Sequence, residues 1–238
     1  MMWRICAAAI LSLTSTAMAL NHIGPTTTRL QQGQWYVGAS YSDAEQDVDF
    51  GNILSDHDVE IQDLDTRLIL GRVGVGLATD RLEIFGMAGS AEAEWEQGID
   101  IDPDVAMGAG FRATMYLDRQ NNLDWGIVGQ FLYHNSDDYL YELSIVDCEF
   151  GFGPCWRPGP CMLYGGVMIH ILDGELDTAS IGDDGYRVED EHIDLEQESW
   201  LGIYIGAGVT LAEHVTLMGE TQATSDAFGW SAGLQLSF

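Results

Sequence analysis

Two short spacings in this 238-residue chain could do chemistry. Asp100-x-Asp102 sets two carboxylates two residues apart, and Asp190-x-His192 sets a carboxylate two residues before an imidazole. Together such groups could activate a water, a carboxylate orienting the imidazole as general base while two more hold the attacking water. Asp100, Asp102 and Asp104, or Asp183 and Asp184, could instead collect calcium or magnesium, because hard cations want several oxygen ligands, although none has the spacing of an EF-hand loop. The chain carries 38 acids, so these spacings arise by chance. No catalytic residue is therefore assigned, and the only cofactor expected is calcium or magnesium bound weakly at these acids. A Gly-x-Ser-x-Gly nucleophile elbow is absent.

The elements that must carry these residues are strands. From Phe228 to Phe238, Phe228, Trp230, Ala232, Leu234, Leu236 and Phe238 alternate with Gly229, Ser231, Gly233, Gln235 and Ser237. Successive strand side chains take opposite sides, so one face is apolar and the other small and polar. The same period recurs in Leu201 to Leu211 and Val105 to Leu117, and less regularly near 34–41, 65–77, 81–95, 123–134, 138–150, 162–172 and 214–223. Most of these runs reach the 9–11 residues that a strand needs to cross a bilayer. A soluble β-sandwich would place charged groups on its wet face, whereas here that face is mostly glycine, alanine, serine and threonine. The pattern predicts an all-β fold, a closed antiparallel transmembrane β-barrel of about ten strands, with eight or twelve as alternatives.

A last amphipathic strand ending in phenylalanine resembles the closing strand of the outer-membrane β-barrel family. The resemblance implies outer-membrane lipid and the barrel assembly machinery as partners, because that strand also serves the family as an assembly signal.

The other terminus agrees. Arg4, the apolar run Ile5 to Leu13 and the small-x-small site Ala17-Met18-Ala19 have the layout of a secretory signal peptide. The expected organisation is a signal peptide over 1–19, a periplasmic N-terminal tail over 20–33 and the barrel over 34–238. There are 28 glycines, no lysine and nine arginines, and the formal charge is −29. Such a surface repels nucleic acid, which excludes DNA and RNA as partners.

With both termini periplasmic, outer loops fall near 42–64, 96–104, 135–138, 173–198 and 224–226, and inner turns near 78–80, 118–122, 151–161 and 212–214. Outer loops with their strand ends hold 29 of the 38 acids, whereas Arg81, Arg119 and Arg157 lie in or beside inner turns. Long outer loops and short inner turns suit this class of barrel. Trp35, Trp125 and Phe238 fall at inner ends, and Tyr133, Tyr139, Tyr141, Trp200 and Phe228 at outer ends, as interfacial girdles would. Asp100-x-Asp102 then lies in the second outer loop and Asp190-x-His192 in the fourth, an arrangement similar to that of the omptins, ten-stranded outer-membrane proteases. That resemblance implies water activation by Asp100, Asp102, Asp190 and His192. The chain departs from the omptins in being shorter and in lacking a basic outer patch.

Alternation places Arg72, Arg112, Gln130, Glu142, Tyr164, His170, Tyr204, Glu220 and Gln235 inside the barrel. Buried charges are tolerated when paired, so these residues predict a polar network that fills a narrow lumen, with a cation-preferring path as the alternative. Cys148, Cys155 and Cys161 surround an inner turn that would face an oxidising periplasm, and one disulfide between two of them is expected, its pairing open. The function this predicts is a non-enzymatic envelope protein that stabilises the membrane or offers acidic loops to an extracellular or envelope partner. A narrow pore and an omptin-like hydrolase are the alternatives.

Overall fold

The computed structural model describes residues 21–51, 62–78, 80–95, 99–137, 141–181, 187–196, 200–225 and 227–238, giving backbone alone at 46–51, 62–63, 78, 95, 99–102, 137, 141, 178–181, 187–194 and 196. Eleven strands follow in order: β1 (Trp35–Gly51), β2 (Gln62–Ala78), β3 (Leu82–Trp95), β4 (Ile99–Asp118), β5 (Leu123–Asp137), β6 (Tyr141–Trp156), β7 (Cys161–Ile181), β8 (Arg187–Glu196), β9 (Leu201–Ala212), β10 (Val215–Ala223) and β11 (Ala227–Ser237). Every pairing is antiparallel, and β1 meets β11 over Tyr36–Gln46, closing the wall. Ten strands, β1 to β7 with β9 to β11, make this closed barrel.

Several strands are far longer than a membrane crossing. β7 has 21 residues and β4 has 20, against the 9–11 that a tilted strand needs. β7 changes partner along its length: Cys161 to Ile169 pair with β9, and Asp173 to Ile181 pair with β8. β8 in turn joins the tip of β1 through Asp49↔Glu196, Phe50↔Leu195 and Gly51↔Asp194. Above the short strands β9 to β11 the wall therefore closes a second time, through β1 to β8. The molecule has a ten-stranded lower tier and an eight-stranded upper tier.

The two tiers have opposite polarity. In the lower tier Ile69, Val73, Phe131, Phe150, Ile203 and Ile205 point outward and are exposed, the band expected against lipid. Trp35 stacks on Phe238 at its lower edge with centroids 4.5 Å apart, and Tyr41 lies against Trp230 higher up at 5.3 Å. Inside the upper tier Leu64, Ala93, Leu143, Ile145, Leu172, Leu176 and Leu195 form a continuous apolar core. Its outer face is polar, with Arg67 within 4 Å of Asp43, Glu92 and Glu94.

At the lower end the connections are short. Asp80 and Asn122 take positive φ of 55° and 54°, a conformation that short polar side chains tolerate in tight turns. Asp118 accepts hydrogen bonds from the backbone of Gln120 and Asn121 and from the Asn121 amide. These bonds, the Asn121 side chain foremost, hold its acid below the ordinary aspartate value.

The structure revises the expected loops and one inner turn. The outer segments 42–64, 96–104 and 173–198, expected as loops, are strand where they are described: β1 runs to Gly51, β4 begins at Ile99, and β7 and β8 run through 173–181 and 187–196. The inner turn expected over 151–161 shrinks because β6 continues to Trp156. That extension also removes the expected disulfide. Cys148 and Cys155 are free thiols, so no bridge joins any two of Cys148, Cys155 and Cys161. Seven residues apart in one extended strand, Cys148 and Cys155 are separated by roughly 23 Å and face opposite sides, far beyond the Cα separation a disulfide spans. Within the segment expected as a periplasmic N-terminal tail over 20–33, Asn21 to Thr28 are buried.

Candidate functional site

The lower lumen begins with alternation. On β2, β4, β5, β7, β9 and β10 the inward positions carry Arg72, Arg112, Gln130, Tyr164, His170, Tyr204 and Glu220, all buried. Gln235 is half-buried and bonds Ser237 near the lower mouth. Glu142 is the exception: it is exposed on the outward face of β6, because Leu143 and Ile145 are the residues turned inward there. Reading the apolar face of this strand as its lipid face reverses the assignment, since β6 at that height is above the lipid band.

Asn21 to Thr28 enter this lumen from below and are buried against its wall. Their backbone is satisfied by inward side chains, as a non-strand segment at membrane depth requires. Ile23 and Gly24 N–H groups donate to the two oxygens of Glu220 at 3.0 and 2.9 Å, a grip that uses the positive φ of Gly24, 75°. Arg112 donates to Ile23 O at 2.9 Å, Arg72 donates to His22 O at 2.7 Å, and Gln222 donates to Asn21 O. His22 Nδ1 meets Ser231 Oγ at 2.7 Å. Lower down, Thr28 N donates to Thr114 Oγ1, which donates back to Thr28 O. Arg29 and Arg157 close on the buried Asp124, and Arg157 also donates to Thr27.

Close approach is built into the wall. A Cβ at Gly76 would lie 2.3 Å from Gln31 O, and one at Gly126 would lie 2.6 Å from Thr26 O. The space left around His22 is about 20 Å³, room for about one water, whereas the mouth beneath opens to about 270 Å³ between Arg29, Glu83 and Arg157. Asn21 to Thr28 thus fill much of the lower lumen.

Charge pairing inside differs from the residues expected. Arg112 pairs with Glu83 at 2.7 Å, both nearly inaccessible, and Arg72 and Arg112 lie over the Phe85 ring at 4.5 and 5.0 Å. Glu83 shares the inward alternation of Phe85 and Met87, so strand period alone could have found it. Asp147 and Glu149 on β6 were hidden by the reversed reading of that strand; the outward pair Phe150 and Phe152 was the signal for their true side. Asp147, Glu149 and His170 present ligand atoms within 4.8 Å of one another, the group best able to hold a metal among the described residues.

The candidate catalytic residues lie on the upper rim. Asp100 and Asp102 are on β4, and Asp190 and His192 on β8; their side chains lie outside the described residues. Three strands separate β4 from β8 in either direction around the upper tier, which puts the two pairs in opposite walls. Register pairs Asp100 with Glu94 and His192 with Asp177. Asp102 and Asp190 fall at ladder irregularities, between Ala91 and Ala93 on β3 and between Thr178 and Ala179 on β7. Of the proposed calcium or magnesium ligands, Asp104 accepts from Val105 N at 2.6 Å, and Asp183 and Asp184 lie outside the described residues.

No protein-family model matches the chain, and no curated protein matches it in sequence. Among solved structures it is similar to the outer-membrane protease OmpT from Escherichia coli, at 10% identity over 86% of this chain and 97% of that one, TM-score 0.54. It also matches the β-domain of the Bordetella autotransporter BrkA, at 12% identity over 87% and 100%, TM-score 0.47. Ail, the attachment invasion locus protein of Yersinia pestis, matches at 11% identity over 87% and 100%, TM-score 0.35. The likeness is one of fold: the chain has the closed antiparallel architecture of outer-membrane β-barrels.

Proposed function

We propose that this protein is a closed, non-conducting envelope barrel that holds its short turns and both termini toward the periplasm and displays an acidic upper tier outside the cell. The observation that carries this reading is the plug: Asn21 to Thr28 occupy the lower lumen through bonds to Arg72, Arg112, Glu220 and Gln222. The apolar core of the upper tier supports it by filling the outer half of the same path. A barrel stopped at both levels serves by spanning the membrane and by presenting its outer face. That face is acidic and polar, suited to a cationic or divalent-bridged partner on another envelope component.

The test is conductance across a planar lipid bilayer. The unmodified barrel should show no steady current, and deletion of 21–31 should open one. Steady current through the unmodified protein would overturn this reading in favour of the narrow cation path.

A second reading is hydrolysis by Asp100, Asp102, Asp190 and His192. It is favoured by the placement of Asp102 and Asp190 at ladder irregularities in opposite walls of one rim, since bulges recur beside active sites, and the fold likeness to a protease is compatible with it. The apolar core between those walls counts against it. If it holds, a peptide panel is cleaved and His192→Ala abolishes cleavage without unfolding the barrel.

A further inference from the structure

Deep in the lumen, where the plug meets β6 and β7, charge is unbalanced. Asp147 and Glu149 stand two residues apart on the inward face of β6, and His170 is the register partner of Glu149 on β7. All three are buried, at 5%, 1% and 0% exposure. Glu83, Asp124 and Glu220 each have an arginine or backbone N–H groups as partners. Among the described residues no arginine forms an ion pair with Asp147 or Glu149. Arg72 stops one residue short: it donates to Gln130 Oε1 at 3.2 Å, and the Gln130 amide nitrogen donates to Glu149. Two buried carboxylates without a cation are costly, and an imidazole alone does not neutralise both.

The donor atoms converge without hydrogen bonding. His170 Nε2 and Asp147 Oδ1 approach to 2.8 Å, yet neither has a hydrogen-bond partner, and Glu149 Oε1 and His170 Nδ1 also have none. The plug contributes independently. Asn21, 2% exposed, gives its amide nitrogen to Asp147 Oδ2 at 2.5 Å, and its buried amide oxygen has no partner.

We propose that Asp147, Glu149 and His170 bind one first-row divalent cation, zinc or manganese, with the Asn21 amide oxygen as fourth ligand. Two carboxylates, a neutral imidazole and a dication sum to zero charge. Ligands about 2.0–2.2 Å from a tetrahedral ion stand about 3.3–3.6 Å from one another, so a cluster whose atoms lie within 4.8 Å closes on an ion by small side-chain rotations. The imidazole favours a first-row metal over calcium or magnesium, which prefer all-oxygen shells. Because three ligands come from the wall and one from the plug, the ion would fasten the plug in its seat. The inference does not depend on whether the barrel conducts or cleaves peptides.

The experiment uses the full-length barrel, stripped with EDTA in detergent and titrated with zinc, manganese and cobalt. Unmodified protein should retain about one zinc per chain after desalting and show the visible absorption of nitrogen- and oxygen-ligated cobalt, with a rise in Tm on zinc addition. His170→Ala and Glu149→Gln should lower zinc affinity by at least about tenfold, and Asn21→Ala by less, each keeping heat-modifiable migration. If a variant fails to fold, the cobalt spectrum of the unmodified barrel decides alone. No cobalt band and no retained zinc would overturn the proposal, as would full zinc occupancy in folded His170→Ala.

Discussion

The lower and upper tiers are built from the same strands and obey opposite rules. β6 shows the reversal within 16 residues. Near its upper end Glu142 and Ser144 face out while Leu143 and Ile145 face in; lower down Phe150 and Phe152 face out while Asp147 and Glu149 face in. β7 repeats it, with Leu172 and Leu176 inside the upper tier and His170 inside the lower. The lesson is that alternation reports two environments without naming them. Against lipid the apolar face turns outward and the polar interior must be satisfied by pairing and by the plug; against water the apolar face turns inward as in a soluble domain.

Four substitutions can break or sharpen this contrast, one for each face. The largest effect belongs to the lower interior. Arg112→Met strands Glu83 and frees Ile23 O, and should destabilise the barrel by about 3–5 kcal/mol, because one half of a buried ion pair is left uncompensated. Adding Glu83→Gln should recover part of that loss in a urea titration. Strict additivity would mean that the 2.7 Å pair is not the coupling.

The lower outer face comes next. Ile203→Arg should cost about 2–4 kcal/mol and impair insertion into lipid, since this residue is 64% exposed within the apolar band. Comparable folding yields for Ile203→Arg and the unmodified chain in lipid vesicles would contradict the placement of the lipid band.

Inside the upper tier, Leu143→Ala should cost about 2–5 kcal/mol through the cavity it leaves in the apolar core. Limited proteolysis should then cut the upper tier while the lower tier survives. If the whole barrel unfolds in one step, the tiers are a single cooperative unit.

The smallest effect belongs to the upper outer face. Arg67→Ala removes a half-exposed cation from among Asp43, Glu92 and Glu94 and should change stability by less than about 1 kcal/mol, diminishing with salt. A larger loss that persists at high salt would show that this face is not open to water.

Much of the wall is readable from one dimension. Phe228 to Phe238 declares its two faces residue by residue, and Arg72, Arg112, Gln130 and Glu220 follow from the same period because a strand turns each side chain opposite to the last. The apolar band and the short inner turns are equally local. Three things are not. The inward Asp147 and Glu149 required knowing that β6 leaves the membrane partway along. The upper closure required β7 to exchange β9 for β8, a pairing between segments whose periodicity does not specify a partner. The plug left almost no trace, because Asn21 to Thr28 have neither strand period nor helix signal and are held by wall residues as distant in sequence as Glu220. Periodicity belongs to the backbone and is written locally; which medium lies on either side of a strand, and which distant groups satisfy a segment without period, exist only once the wall has closed.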